Sequence, residues 1–479
     1  MDLCSLSASD LSRMIAARKV APSEVVDAHL ARIAAVNPAV NALVSLRDPD
    51  AVLAEARAMD AAPRRGWLHG LPVAVKDLVH VAGLPTSMGS PLHAGQVAAG
   101  DDLVAARMRA AGAVFLGKTN TPEWGHGSHT FNPVFGATRN PYDKARSAGG
   151  SSGGAAAALA ARLVPAADGS DMMGSLRNPA AFCNVYGFRP TWGLVPGDAG
   201  TEAFMATLAT EGPMGRTVED VARLLDVLAG EDPRVPFGRP GGGFGDRLAT
   251  DPKGRRIGWL GDWGGAYPVE QGILDLCRRA LPVFEDMGCR VEEVAPPFPA
   301  ADLWHSWTVL RAFLNANAKR ALWDDPVARA ATKPETLWEI RQGLDLTAEA
   351  VFRASETRSR WYAAAALLFE RYDALVLPSA QVWPFPVEWR WPETVAGRPM
   401  DTYHRWMEIV VPVSLAGLPC LACPAGFGPQ GLPMGFQLVG RAGADAQVLA
   451  LGAAYHAATD WPGRHPPPAP SQPGAQAMM

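Results

Sequence analysis

Short apolar runs that alternate with amphipathic segments constrain this chain more than any other feature. LPVAVKDLV reads as a buried strand, DDLVAARMRAAG as a helix that starts on aspartates and ends at Gly112, and AVFLGKTN as the next strand. This β-α-β rhythm, with glycine-rich corners, predicts an α/β fold: a mixed, mainly parallel β-sheet core surrounded by α-helices. A chain of 479 residues is long, yet one extended sheet with helices on both faces can hold it.

The same reading extends to both ends. Ser7 and Asp10 match a capping box, which predicts a helix over 10–18, and a second helix is expected over 23–36, stopped near Pro38. Residues 231–254 are rich in Gly and Pro and read as a flexible connection. RIGWLG and EQGILDLCRRALPVFEDMG then restart the rhythm as strand and helix. Between about 301 and 406 the pattern turns helical, and nine of the chain's 15 tryptophans fall there. LACPAG and MGFQLVG are expected strands, followed by a helix from 444 to about 458. The organisation predicted is one domain over 1–465 with a variable Trp-rich helical section, and a disordered proline-rich tail over 466–479.

Composition excludes several classes. A net charge of −4 implies no nucleic-acid or membrane partner, and no run of about 18 apolar residues is present. The first residues lack the pattern of a signal peptide, so the cytoplasm is the expected compartment. Six cysteines in so long a chain argue against a disulfide framework. Cys420 and Cys423 form a lone CxxC inside the apolar run GLPCLACPAG, which reads as a buried strand rather than a redox motif opening a helix.

Chemistry concentrates in three stretches. Lysine is scarce, with only seven in the chain, and Lys76 sits in the apolar run LPVAVKDLVHV. Burial disfavours the ammonium form and lowers the pKa, which makes a buried lysine a competent general base. The structural alternative is a lysine paired with the adjacent Asp77 or reaching out at a strand end. Next, SAGGSSGG (147–154) precedes the helix former AAAALAAR; such a turn offers free N–H groups at a helix start, but no GxxxxGK[ST] phosphate loop. The third stretch, VPAADGSDMMGSLR, reads as a strand, a turn over 169–174, and Ser175 near a helix start. Consecutive amides of such a turn can converge as an oxyanion hole requires, with Ser175 as the nucleophile.

Taken together, these stretches resemble the amidase signature family. The likeness runs over LHGLPVAVKDLVHVAGLPTSMGS, LGKTNTPEW, NPVFGATRNPYD, GGSSGGAAAALAA, GSDMMGSLRNPAAFCNVYGFRPTWGLVP and MGFQLVGR. It implies a Ser–cis-Ser–Lys triad in which Lys76 is the base, Ser151 the bridging serine behind a cis Gly150–Ser151 bond, and Ser175 the nucleophile. The backbone amides of Met172, Met173, Gly174 and Ser175 are the expected oxyanion donors. Trp124, His126 and Phe131, after TNTPE, are the expected substrate contacts. The implied reaction is hydrolysis of a small-molecule carboxylic amide to acid plus amine or ammonia, without metal or organic cofactor. A homodimer is the one association left open. Asp171 and Arg177 read as structural, orienting the turn.

One departure stands out. Most of the family has glycine where this chain has Met173. A turn that needs a positive φ there would be strained by methionine. The favoured alternative is that Met172 and Met173 form an adaptable apolar wall beside the acyl group. With the Trp-rich section, this tilts the expected substrate toward an apolar or aromatic amide.

Other readings carry less. The run over 149–153 fits the GxSxG elbow of α/β-hydrolases, but polar NPYDKARSAGG precedes it instead of a buried strand, and His305, His404, His456 and His465 have no telling frame. His126 and His129 with Glu123 could ligate a metal, but their glycines break any helix face, and a pocket-lining loop is expected. The ammonia-generating component of a tRNA-dependent amidotransferase shares the triad and ranks second. A pseudo-enzyme disabled by Met173 ranks third.

Overall fold

A computed structural model describes residues 1–197 and 202–468. Eleven strands make one sheet: β1 (Leu43–Val44), β2 (Pro72–Lys76), β3 (Val114–Thr119), β4 (Ala166–Asp171), β5 (Tyr186–Arg189), β6 (Thr210–Gly215), β7 (Arg256–Trp259), β8 (Arg290–Glu293), β9 (Ala374–Pro378), β10 (Cys420–Phe427) and β11 (Pro433–Val439). Their spatial order is β1-β3-β2-β4-β6-β5-β10-β11-β9-β7-β8. The sheet is mixed, as expected. β2 pairs in parallel with β3 and β4, and β7 with β8 and β9. Every pairing from β4 across to β9, and that of β1 with β3, is antiparallel.

Burial explains the strand sequences. Every residue of β2, β3 and β11 is buried, so these strands read as continuous apolar runs rather than alternating ones. The CxxC lies in β10, where Cys420 and Cys423 are buried free thiols.

Helices α1 (Ala8–Ala16) and α2 (Pro22–Val40) open the chain. Ser7 Oγ accepts the Asp10 amide at 3.0 Å, as its capping pattern implies. Contrary to expectation, α2 runs through Pro38 and stops only at Asn41, in the left-handed region. The proline falls in the last turn, and the Asn37 side chain takes the amides of Ala42 and Leu43, so the exit is capped without a break. Helix α3 (Gly153–Ala160) is buried along its whole length against the sheet. Its entry requires glycine: a Cβ on Gly154 would lie 2.3 Å from the Asn120 backbone nitrogen.

Two further expectations change. The helix expected over 270–288 splits into Ile273–Ala280 and Pro282–Asp286, since Pro282 has no amide to continue the first piece. The Trp-rich section is helical only to Leu368, through α4 (Ala300–Ala318), α5 (Pro334–Leu344) and α6 (Ala348–Leu368); the chain then re-enters the sheet as β9. Four of its nine tryptophans, Trp304, Trp307, Trp361 and Trp406, are buried in the core, whereas Trp338 and Trp389 are exposed. Of the tail, only residues 466–468 are described; the rest of that expectation lies outside the described residues. Among the described residues, no helix is long and apolar enough to cross a membrane.

Candidate active site

β2 ends on Lys76, and its parallel neighbour β4 pairs Ala166 and Ala167 with Val73 and Ala74. This register brings the end of β4 beside Lys76. The Lys76 amide donates to Asp168 Oδ1 at 2.9 Å. Its Nζ lies 2.8 Å from Ser151 Oγ, 2.9 Å from Ser152 Oγ and 2.9 Å from Ser170 Oγ. Lys76 is fully buried. Burial pushes its pKa down to about 8, while the carboxylates of Glu211, Asp168 and Asp171 pull the other way. A lysine so placed is partly neutral near neutral pH. Asp77 is not its partner: it accepts from Ser87 and lies 3.8 Å from the Lys118 ammonium.

The glycine run before α3 delivers Ser151. Gly149 has φ +75° and the Gly150–Ser151 peptide is cis. Ser128 Oγ donates to the Gly150 carbonyl at 2.5 Å, and Thr130 Oγ1 accepts the Gly153 amide at 3.2 Å, which fixes both sides of the turn.

The second turn follows β4. Gly169 belongs to the strand, so the turn starts at Met172 and not at Gly169 as expected. Asp171 organises it. Fully buried, this carboxylate accepts from Arg177 Nε and Nη2, both at 2.9 Å, and from Arg189 at 3.2 Å. Burial would raise its pKa, but the two guanidinium groups outweigh that and hold it well below the usual range. The structural role expected of Asp171 and Arg177 agrees with these contacts.

Asp171 also takes the Gly174 amide at 2.8 Å and the Leu176 amide at 3.1 Å. The Gly174 N–H is therefore spent, which removes it from the expected oxyanion donors. The amides of Met172, Met173 and Ser175 donate to nothing among the described residues. The positive φ of the turn falls on Gly174, at +80°, where a Cβ would stand 2.2 Å from Asn178 Oδ1. Met173 keeps a negative φ, so methionine there imposes no left-handed strain.

Ser151, Ser170 and Ser175 line one cavity of about 160 Å³. Leu78, Met172, Met173, Met407 and Trp124 supply apolar wall; His126, Glu211, Arg311, Asn315 and Lys319 supply polar wall. Of the residues expected to contact substrate, Trp124 and His126 line this cavity. Phe131 is not on the wall: it is held between Lys333 and Arg390, 5.3 and 5.4 Å from its ring centre. None of the nine tryptophans of the variable section lines the cavity.

His126 is fully committed, with Nε2 3.1 Å from Asn315 Oδ1 and Nδ1 2.9 Å from Thr336 Oγ1. Burial drives its pKa far down, so it is neutral. His129 likewise meets Ser147 at 2.7 Å and the Val387 carbonyl at 3.0 Å, while Glu123 accepts from Ser90 and the Lys333 amide.

Sequence reasoning missed the polar wall from α4. Arg311, Asn315 and Lys319 recur every fourth residue, one face of a helix. Arg311 donates to Glu339 at 2.7 Å, to Tyr403 Oη at 2.9 Å and to Met172 Sδ at 3.2 Å. Asn315 donates to the other Glu339 oxygen at 3.1 Å. The four-residue spacing was a readable signal. Ser152 and Ser170, the further neighbours of Lys76, flank residues already singled out.

Comparison with known proteins bears on the family of the chain. The Amidase family model matches residues 24–449. An acylamidase of Rhodococcus erythropolis is 35% identical over 96% of this chain and 97% of its own length. The glutamyl-tRNA(Gln) amidotransferase A-subunit of Chloroflexus aurantiacus is 34% identical over 97% of this chain and 99% of its own. The crystal structure of a bacterial aryl acylamidase superposes with a TM-score of 0.90 at 30% identity, covering 97% of this chain and 99% of that one. The chain therefore belongs to the amidase signature family, enzymes that act on amide C–N bonds.

Proposed function

We propose that this protein hydrolyses a compact carboxylic amide through an acyl-enzyme on Ser175. The carrying observation is the buried Lys76 amine 2.8 Å from Ser151 Oγ, in the cavity that Ser175 also lines. Neutral Lys76 takes a proton from Ser151, Ser151 takes one from Ser175, and Ser175 attacks the amide carbonyl. The free amides of Met172, Met173 and Ser175 receive the oxyanion. The relay reverses to protonate the leaving amine, and water then releases the acid.

A cavity of about 160 Å³ is smaller than the roughly 300–1,000 Å³ of drug-sized sites, which favours a compact substrate. Leu78, Met172 and Met407 give it an apolar side suited to an aryl or alkyl group. Turnover of a panel of aryl and alkyl amides by wild type but not by Ser175→Ala tests the reading; equal inertness of both proteins across the panel would defeat it.

The likeness to the amidotransferase chain favours a second reading, in which Ser175 hydrolyses glutamine and passes ammonia to a partner. Turnover of simple amides by the purified chain alone separates the two.

A further inference from the structure

The cavity wall, which also carries Glu211, holds one cation, Lys319, with no carboxylate at ion-pair distance among the described residues. Arg311 is matched: Glu339 accepts from it and also from Tyr403 and Asn315, so that carboxylate is engaged by three donors and lies beyond ion-pair distance of Lys319. Lys319, one helical turn beyond Asn315, caps the C-terminal end of α4 and reaches the same cavity wall. Its Nζ has a single hydrogen-bond partner among the described residues, Asn315 Oδ1 at 3.0 Å. No carboxylate stands within ion-pair distance of it among those residues, although the side chain is half-buried. An ammonium has three hydrogens to donate, and sheltering one from water without a counter-charge is unfavourable. The neighbouring Arg311 adds to the positive potential on this wall, and Glu339 offsets part of it. The C-terminal helix dipole supports a cation at this position but supplies no acceptor beyond it.

We infer that Lys319 is a specificity-determining residue that pairs with a carboxylate carried by the substrate. The preferred amide then has two parts: a compact apolar portion against Leu78, Met172 and Met407, and a carboxylate that reaches the ammonium of Lys319. This inference rests on the reading of the Ser175 cavity as the site of acyl transfer. It refines the expectation from the sequence, which pointed to an apolar or aromatic amide. Asn315 acts here as a positioning residue. Its amide is oriented by Glu339 and its carbonyl oxygen by Lys319, with His126 on the same oxygen, so the ammonium is aimed and not free to swing out.

Matched pairs of amides test the inference. N-phenylsuccinamate and its methyl ester place the charge in the acyl part; para-acetamidobenzoate and its methyl ester place it in the amine part. Wild type is expected to favour the carboxylate of at least one pair by about tenfold in kcat/KM, the size of a partly exposed charge pair at a binding site. Lys319→Met is expected to bring that ratio to about one, and Lys319→Arg to keep it. The same pairs titrated by calorimetry into Ser175→Ala read binding without chemistry, and the preference should vanish in Ser175→Ala combined with Lys319→Met. Preference for the ester in both pairs, or a ratio that Lys319→Met leaves unchanged, overturns the inference. Tighter binding of a carboxylate with no cleavage of any compound by wild type would uphold the subsite and refute the acyl-enzyme reading instead.

Discussion

Lys76 Nζ lies 2.8 Å from Ser151 Oγ, and the two residues come from separate parts of the chain: a strand terminus and a glycine turn 75 residues later. In the proposed mechanism the buried lysine is the base and that hydroxyl is the relay. Removing either should stop chemistry without dismantling the fold. Lys76→Met and Ser151→Ala should each lower kcat by roughly 10²–10⁴, the usual contribution of a positioned acid–base group. Steady-state kinetics with an amide accepted by wild type, beside circular dichroism to verify folding, checks this. Near-normal kcat in Lys76→Met would remove lysine from the mechanism.

The pH dependence follows in sign. Burial lowers the Lys76 pKa to about 8, and the reactive form in the proposed mechanism is the neutral one, so kcat/KM should rise with pH through about 8. Lys319 is also pushed down to about 8, by burial and by Arg311. A neutral amide followed in Lys319→Met separates them: the rising limb should persist. Its disappearance there would assign the limb to Lys319.

The same shift has a stability consequence. An unfolded lysine titrates near about 10.4. Between about 8 and that value the unfolded state binds more protons at Lys76 than the folded state, so stability rises with pH across this window. Denaturant midpoints measured at pH values within the window, for wild type against Lys76→Met, should diverge in that direction and be flat if the lysine is unshifted.

The turn that carries Ser175 separates two kinds of residue. Gly174 has φ +80° and no room for a Cβ, so Gly174→Ala should cost about 2–4 kcal/mol and disturb the site. Met173 has an ordinary φ and a buried side chain, so Met173→Gly should cost a similar amount by lost packing and added chain entropy, yet keep the amide and measurable turnover. Urea denaturation and turnover of both variants test the contrast; loss of all activity in a folded Met173→Gly would count against it.

Asp171 is predicted to be the stability centre of the site. Asp171→Asn leaves Arg177 and Arg189 buried without their counter-charge and should destabilise by about 3–5 kcal/mol. A change below about 1 kcal/mol by chemical denaturation would show that the two arginines are satisfied by their other contacts.

Much of the candidate site was legible because its residues are marked locally. Lys76 in an apolar strand, Ser151 and Ser175 in glycine frames, and Trp124 and His126 beside them are marked by the residues next to them in the chain. What failed was non-local. Phe131 is turned from the cavity by Lys333 and Arg390, which come from distant parts of the chain. The Gly174 amide is lost to a carboxylate only three residues upstream, but the orientation of that carboxylate depends on Arg189 across the sheet. The wall of Arg311, Asn315 and Lys319 acquires meaning only when α5 brings Glu339 against α4. The course of α2 through Pro38 depended on a side-chain cap by Asn37 that periodicity does not reveal.

The central claim is a covalent acyl-enzyme on Ser175, and trapping it is the most direct measurement. Wild type incubated with a fluorophosphonate and digested for mass spectrometry should carry one adduct on the peptide containing Ser175, with none on Ser175→Ala and slowed labelling in Lys76→Met. An adduct on another residue, or equal labelling of Ser175→Ala, would contradict the account.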